Sequence, residues 1–138
     1  MTAGDLEPRI QRMLTMLNGG QVLEAIEIFY ATDARVYEND FLFAESREEI
    51  VERQTAFVAS CNRIEGDLKA IHMDLGRGIS VFYNKSRYSH REFGEGTIDG
   101  VHVHYWHDGE IARENYFTGD KREEALAFWQ LVGRTQTL

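Results

Sequence analysis

The chain has 138 residues, a formal charge of −8 and one cysteine, Cys61. That length suits a single domain over residues 1–138 with a real core, the acid excess argues against nucleic acid and anionic membrane as partners, and a lone cysteine excludes an intramolecular disulfide and CxxC metal spacings. No apolar run approaches the ~18 residues of a membrane span, and MTAGDLEPRI is neither basic nor followed by an apolar core, so no secretory signal and a cytoplasmic setting are expected.

From Thr2 to Asn18, apolar residues recur at Leu6, Ile10, Met13, Leu14 and Leu17, the spacing of one helix face. Pro8 is tolerable only in the first turn of that helix. Asn18-Gly19-Gly20 stops it, since these residues accept left-handed backbone. A second helix carries Val22, Leu23, Ile26, Phe29 and Tyr30 on one face and breaks at Thr32-Asp33. Ala34 to Asn39 is a short strand with Tyr37 and Asn39 pointing one way, Val36 and Glu38 the other. Asp40 turns the chain into a small strand, Phe41-Leu42-Phe43. Ser46-Arg47-Glu48-Glu49 is a capping box. It opens a helix with the stripe Ile50, Val51, Phe57, Val58 and Cys61, ending near Asn62, on which Cys61 is a small buried residue.

After Gly66 the pattern turns to strands. Leu68–Asp74 is one, and Gly76-Arg77-Gly78 a turn. Ile79 to about Glu92 reads as a single strand far longer than the usual ~5–6 residues, which calls for a curved or bulged sheet. Thr97 to Trp106 is again long, with Gly100 a bulge or close-approach point. Asp108-Gly109 signals a two-residue hairpin, because a type I′ turn needs positive φ at both central positions. Strict alternation through that turn puts His102, His104, Trp106, Ile111, Arg113 and Asn115 on one face. Val101, Val103, Tyr105, Ala112, Glu114 and Tyr116 fall on the other, and a register slip would exchange the two. A last helix starts at Asp120 and carries Leu126, Phe128, Trp129 and Leu131. Helices against one curved antiparallel sheet make an α+β cone with an internal cavity.

The first hairpin face mixes two histidines, a tryptophan, an arginine and an asparagine. A solvated face seldom carries Trp between His and Arg, whereas a ligand pocket does have an apolar wall with a few polar groups. The hairpin should supply His102, His104, Trp106 and Asn115 to the lining. Histidine titrates near neutrality, so His102 and His104 are candidates for general base or acid; the bland alternative is a polar wall stacked on Trp106. Arg113 could hold a carboxylate or enolate oxygen, or pair with Glu95 or another strand acid. His102 and His104 could form a metal pair, but no third ligand stands at matching spacing, although His90 and Glu92 lie on the neighbouring strand. No metal and no cofactor is expected.

The segments AIEIFYATDARVYEN (Ala25–Asn39), SREEIVERQTAF (Ser46–Phe57) and VHYWHDGEIARENYF (Val103–Phe117) resemble the SnoaL-like branch of the nuclear transport factor 2-like superfamily. The likeness spans nearly the whole chain up to Gly119. It implies a cystatin-like α+β cone around a small, mostly apolar organic ligand, and it is weak for function. Members include polyketide cyclases, steroid isomerases, epoxide hydrolases, dehydratases and proteins of no known activity. Limonene epoxide hydrolases of this group hold water with a tyrosine and an asparagine two residues apart and an aspartate on the last strand. An arginine and a second aspartate lie two apart on a middle strand. Tyr37 and Asn39 match the first pair, and Asn115 stands where the last-strand aspartate would be. Asn84 and Ser86 fall, within a residue or so, where the arginine and second aspartate would be. The resemblance thus implies retained polar positions and lost acids. Asparagine cannot deprotonate water, so limonene-type epoxide hydrolysis is not expected. Cofactor-free isomerase, cyclase or hydratase chemistry would use His102 or His104 as base or acid, with Tyr37, Asn39 and Asn115 positioning water or a carbonyl. The alternative is a non-catalytic ligand-binding or dimerising module.

Val101, Val103, Tyr105, Ala112 and Tyr116, continued by Ile79, Val81 and Tyr83, make an apolar outer sheet face. With all four helices needed on the concave side, a homodimer through this face is expected. Glu114 is its awkward member, a carboxylate in need of a partner.

Overall fold

The computed structural model describes residues 3–136, with side chains over 4–133. In chain order these residues form α1 (Ala3–Asn18), α2 (Val22–Phe29), β1 (Tyr30–Glu38), β2 (Phe41–Ala44), α3 (Arg47–Ser60), β3 (Cys61–Glu65) and β4 (Leu68–Asp74). There follow β5 (Ile79–Asn84), β6 (Arg87–His90), β7 (Gly94–Thr97), β8 (Gly100–His107), β9 (Glu110–Phe117) and α4 (Gly119–Gln136). Thr2, where the sequence starts its first helix, lies outside the described residues. The architecture is α+β. A six-stranded sheet runs in the order β2-β1-β9-β8-β5-β4, and β3-β6-β7 form a second, smaller sheet. The β1–β9 pairing is parallel and the others are antiparallel.

The apolar stripe of α1 (Leu6, Ile10, Met13, Leu14) packs with Ala25, Ile26 and Phe29 of α2 into one core with Phe82, Trp106 and Ile111 of the sheet. Met13 and Phe29 are wholly buried, each side chain contributing about 1.5–3 kcal/mol. Pro8 sits inside α1 rather than in its first turn. It leaves the Gly4 carbonyl without its helical donor, and Gly4 is exposed to water. Ser46 Oγ caps α3 by accepting from the Glu49 N–H at 3.1 Å.

Two helices run directly into strands. Tyr30 and Cys61, which periodicity assigns to helices, open β1 and β3 in extended conformation. Pairing wins over periodicity here, since Tyr30 sits opposite Ile111 and Cys61 opposite His90. The two long strands also divide. The first breaks at Lys85-Ser86, where Asn84 Oδ1 accepts from Ser86 N and Oγ at 3.0 and 2.5 Å. The second breaks at Ile98-Asp99, and Ile98 N–H donates to Ser86 O at 2.8 Å. Both strands therefore leave the large sheet at one corner. Gly100 belongs to that corner, because a Cβ there would lie 2.3 Å from the Tyr116 ring.

The hairpin turns at Asp108 and Gly109, with φ of 50° and 80° as a type I′ turn demands. His107 faces Glu110 and Trp106 faces Ile111, but the next pair is Tyr105 with Arg113. Ala112 is an extra residue, a β-bulge, and parity reverses beyond it. Glu114 then faces His104 and Tyr116 faces His102, while Arg113 and Asn115 turn to the outer face.

The last helix overturns the other sidedness expectation. Gly119 reverses the chain at a φ of +59°, and α4 lies across the outer sheet face. Its Ala125, Leu126 and Trp129 pack on Val81, Val101 and Val103, and Trp129 stacks on His72 at 5.3 Å. Lys121 Nζ to Asp40 at 2.6 Å and Arg122 Nη1 to Asp99 at 3.0 Å tie down its start. The valines of the patch that suggested a homodimer, Val81, Val101 and Val103, are thus covered by the chain's own helix, while Tyr105 stays exposed. Among the described residues no helix is long and apolar enough to cross a membrane.

Candidate functional site

Between α1, α2, α3 and the inner faces of both sheets lies a cavity of about 500 Å³, within the ~300–1,000 Å³ of small-molecule sites. Met13, Leu17, Ile26, Phe43, Ile50 and Phe57 form much of its apolar wall. The opposite wall carries a polar stripe made by four adjacent strands: Tyr30 from β1, Glu114 and Tyr116 from β9, His102 and His104 from β8, and Asn84 from β5.

Glu114 is the centre of the stripe. Its Oε1 accepts a hydrogen bond from the Tyr30 hydroxyl, and its Oε2 lies 2.5 Å from His102 Nδ1. His104 Nε2 is 3.5 Å from Oε1. Burial pushes the Glu114 carboxyl up, but His104 and His102, as hydrogen-bond donors and as cations when protonated, outweigh it and hold the group well below the usual carboxylate range. Glu114 is therefore an ionised, buried carboxylate. Tyr30 moves the opposite way: burial, then the Glu114 charge and hydrogen bond, push its phenol well up. It remains a donor.

The hydrogen bonds also assign the tautomers. Asn84 Oδ1 is committed to Ser86, so Asn84 Nδ2, 3.2 Å from His102 Nε2, must donate there. His102 carries its proton on Nδ1, toward Glu114, and presents a lone pair at Nε2. Tyr30 gives its proton to Glu114, so its oxygen accepts from His104 Nε2 at 3.3 Å. His104 Nδ1 is left as a lone pair, buried and without any hydrogen-bond partner. Phe82 stacks on His102 at 4.6 Å and Tyr116 leans on it at 4.4 Å, which fixes the ring plane.

His102, His104 and Glu114 place three ligand atoms within 4.8 Å of one another, the donor set of a two-histidine, one-carboxylate metal site. Their hydrogen bonding suits a proton better. A metal on His102 Nδ1 would need the proton on Nε2, and a metal-bound imidazole gives that proton to an acceptor. Asn84 offers Nε2 a donor instead.

No family model matches the chain, and no curated protein matches it. Solved structures do. A protein from Mesorhizobium loti named as a SnoaL-like polyketide cyclase aligns at a TM-score of 0.69 and 16% identity, covering 86% of this chain and 100% of that one. AclR of Streptomyces galilaeus, named as a hydroxylase, aligns at 0.69 and 12%, covering 92% and 98%. An NTF2-like protein of unknown function from Burkholderia pseudomallei aligns at 0.65 and 13%, covering 90% and 95%. The chain has the SnoaL-like, NTF2-like fold.

Within this SnoaL-like fold the eight residues singled out from sequence separate into four groups. Asn84, His102 and His104 line the cavity. Trp106 shares their face but lies beneath the cavity in the core, with Nε1 donating to Ser80 Oγ at 2.8 Å. Tyr37, Arg113 and Asn115 stand together on the outer face. The Arg113 guanidinium lies 4.7 Å from the Tyr37 ring, and its Nε donates to Asn115 Oδ1 at 2.9 Å. Asn39 occupies a left-handed turn (φ 47°) and pins it to Thr118, donating from Nδ2 at 2.7 Å and accepting from the Thr118 N–H at 2.9 Å. The bulge at Ala112 is the physical reason for the outward group. It also removes the premise that the cavity has lost its last-strand acid, since Glu114 supplies one.

Sequence reasoning missed Tyr30, Glu114, Tyr116 and the rim acid Asp99. Glu114 did leave a signal, a lone carboxylate on a strand face otherwise assigned as apolar. At the rim, Asp99 accepts from the Tyr83 hydroxyl at 2.6 Å and pairs with Arg122. That Tyr83 hydrogen bond, with help from Arg122 against some burial, draws the Asp99 carboxyl down.

Proposed function

We propose that the cavity binds a small, largely apolar organic molecule and carries out cofactor-free proton transfer on it, of the isomerase, cyclase or hydratase kind. The observation that supports this is the chain Glu114–His102–Asn84 in the wall of an apolar cavity. A buried carboxylate that orients an imidazole through Nδ1 leaves Nε2 as the base. Desolvating that carboxylate costs several kcal/mol, a cost typical of working sites. In this scheme the substrate displaces the Asn84 Nδ2 hydrogen bond from His102 Nε2, that nitrogen takes the substrate's proton, and Glu114 stabilises the imidazolium that results. Tyr30, held as a phenol, keeps Glu114 in place. Glu114 is a positioning residue here, and His102 is the catalytic residue.

The test starts from the molecule itself. Native mass spectrometry of the purified protein identifies what it carries, and that compound is then offered to wild type and to His102→Gln. Turnover by wild type that falls by roughly 10²–10⁴-fold in the variant, with binding kept, is the expected result. Unchanged binding to both with turnover by neither would replace this scheme with the alternative, a module that binds without catalysis.

A further inference from the structure

We infer that the cavity selects an organic amine over an organic acid. The inference rests on the reading of the cavity as a small-molecule site and names the class of molecule that fits it.

The charges of the lining point one way. Three carboxylates, Glu38, Asp99 and Glu114, line the cavity, and no lysine or arginine does so among the described residues. Glu114, inside, is ionised and buried, with two imidazoles and a phenol around it. An anionic ligand brought into this space meets that charge where screening is weak and finds no lysine or arginine to pair with among the described residues. Asp99 is already neutralised by Arg122 at 3.0 Å. The Glu38 side chain, exposed at the mouth, makes no hydrogen bond or ion pair among the described residues. It is a free negative charge at the entrance.

Tyr116 marks where these charges converge. Its phenol is pushed up by burial and then by Glu38, Glu114 and Asp99 in turn, so all three carboxylates act on this one ring. The ring face is itself a weak cation site, as are those of Tyr88 and Phe57, which also line the cavity.

His104 supplies independent support. It lines the cavity, is 1% exposed, and keeps Nδ1 as an acceptor without a donor. An unmet acceptor in an interior calls for a hydrogen-bond donor. An ammonium group brings donors and a carboxylate brings none. The amine head therefore lies along the polar stripe, drawn in past Glu38, with the hydrocarbon body against Leu17, Ile26 and Phe43.

Three probes of matched size separate the outcomes: phenethylamine, phenethyl alcohol and phenylacetate, each titrated calorimetrically into the full chain at neutral pH. The amine should bind at least ~10-fold more tightly than the acid, and more tightly than the alcohol by a smaller factor. Glu38→Gln, at an exposed position whose side chain makes no hydrogen bond or ion pair among the described residues, should narrow the amine's advantage about two- to five-fold without unfolding the protein. Equal binding of all three overturns the charge selection and leaves the small-molecule cavity standing. Tighter binding of phenylacetate than of phenethylamine overturns it outright. Failure of all three to bind removes this inference together with the small-molecule reading on which it rests.

Discussion

The two sides of one hairpin carry two polar clusters back to back. On the inner face of β8 and β9, Glu114, His102, His104 and Tyr30 interlock around a buried charge. On the outer face, Arg113 leans on Tyr37 and Tyr105 and bonds Asn115 at the margin of the sheet. Their energetics differ because the inner cluster centres on the buried carboxylate of Glu114, whereas the outer one centres on the exposed Arg113. Where Arg113 loses a partner, solvent replaces it. In the inner one, each group removed leaves another stranded. A single bulged residue, Ala112, decides which cluster meets the cavity.

The largest effect expected from breaking this asymmetry is at Glu114. Glu114→Ala strands two imidazoles and a phenol, and should lower unfolding stability by about 3–5 kcal/mol in urea titrations. Arg113→Ala, one position away and outside, should cost about 0.5–1 kcal/mol. Comparable costs at the two positions would show that the clusters are not separated as described.

Stability against pH should carry the same signature. Glu114 is depressed in the folded protein relative to an ordinary 4.5, so the unfolded chain binds more protons just below that value. Its contribution is present above about pH 4.5 and is lost as pH falls toward the lower folded value. Tyr30 is raised above an ordinary 10.0. Its contribution is present below about pH 10 and is lost as pH rises toward the folded value. Urea midpoints measured in pH steps should decline on both sides. Glu114→Gln should flatten the acid limb and Tyr30→Phe the alkaline limb, whereas Asn115→Asp should change neither.

A smaller effect follows from the wiring of His102. In Asn84→Asp one carboxylate oxygen keeps Ser86 and the other accepts from Nε2, which is the partner a metal-bound histidine needs. Zinc affinity by calorimetry should rise about 10–100-fold over wild type. No gain would mean that Asn84 does not set the tautomer. An effect close to that of Arg113→Ala is expected at the turn. Asn39→Gly keeps the left-handed backbone while losing the Thr118 bonds, and should cost about 1 kcal/mol in urea titrations with ligand binding intact.

Much of this fold is legible in the sequence. The apolar stripe of α1, the Ser46 cap and the Asp108-Gly109 turn are local signals, and local physics reproduces them. The errors fall where a tertiary partner overrides a local rule. Tyr30 continues a helical stripe but is captured by β9. The run from Ile79 to Glu92 reads as one strand because the corner at Lys85-Ser86 is held by a side-chain bond from Asn84 that leaves no periodicity. Leu126 and Trp129 mark an apolar helix face without saying which side of the sheet it covers. At the site, the histidines stand before the bulge and are placed correctly by parity, while Arg113 and Asn115 stand after it and are inverted. Composition near Ala112 gives no warning of the extra residue. The misfit of Glu114 on an apolar face was the available clue, and a misplaced charge is a better guide to register than the alternation it interrupts.

The account stands on Glu114, and not Asn115, sharing the cavity with His102. Long-range proton–nitrogen NMR of the histidine rings tests this most directly. The predicted spectrum shows His102 protonated on Nδ1 with a lone pair on Nε2, a pattern lost in Glu114→Gln and retained in Asn115→Asp. A His102 spectrum that ignores Glu114→Gln and responds to Asn115→Asp would contradict it.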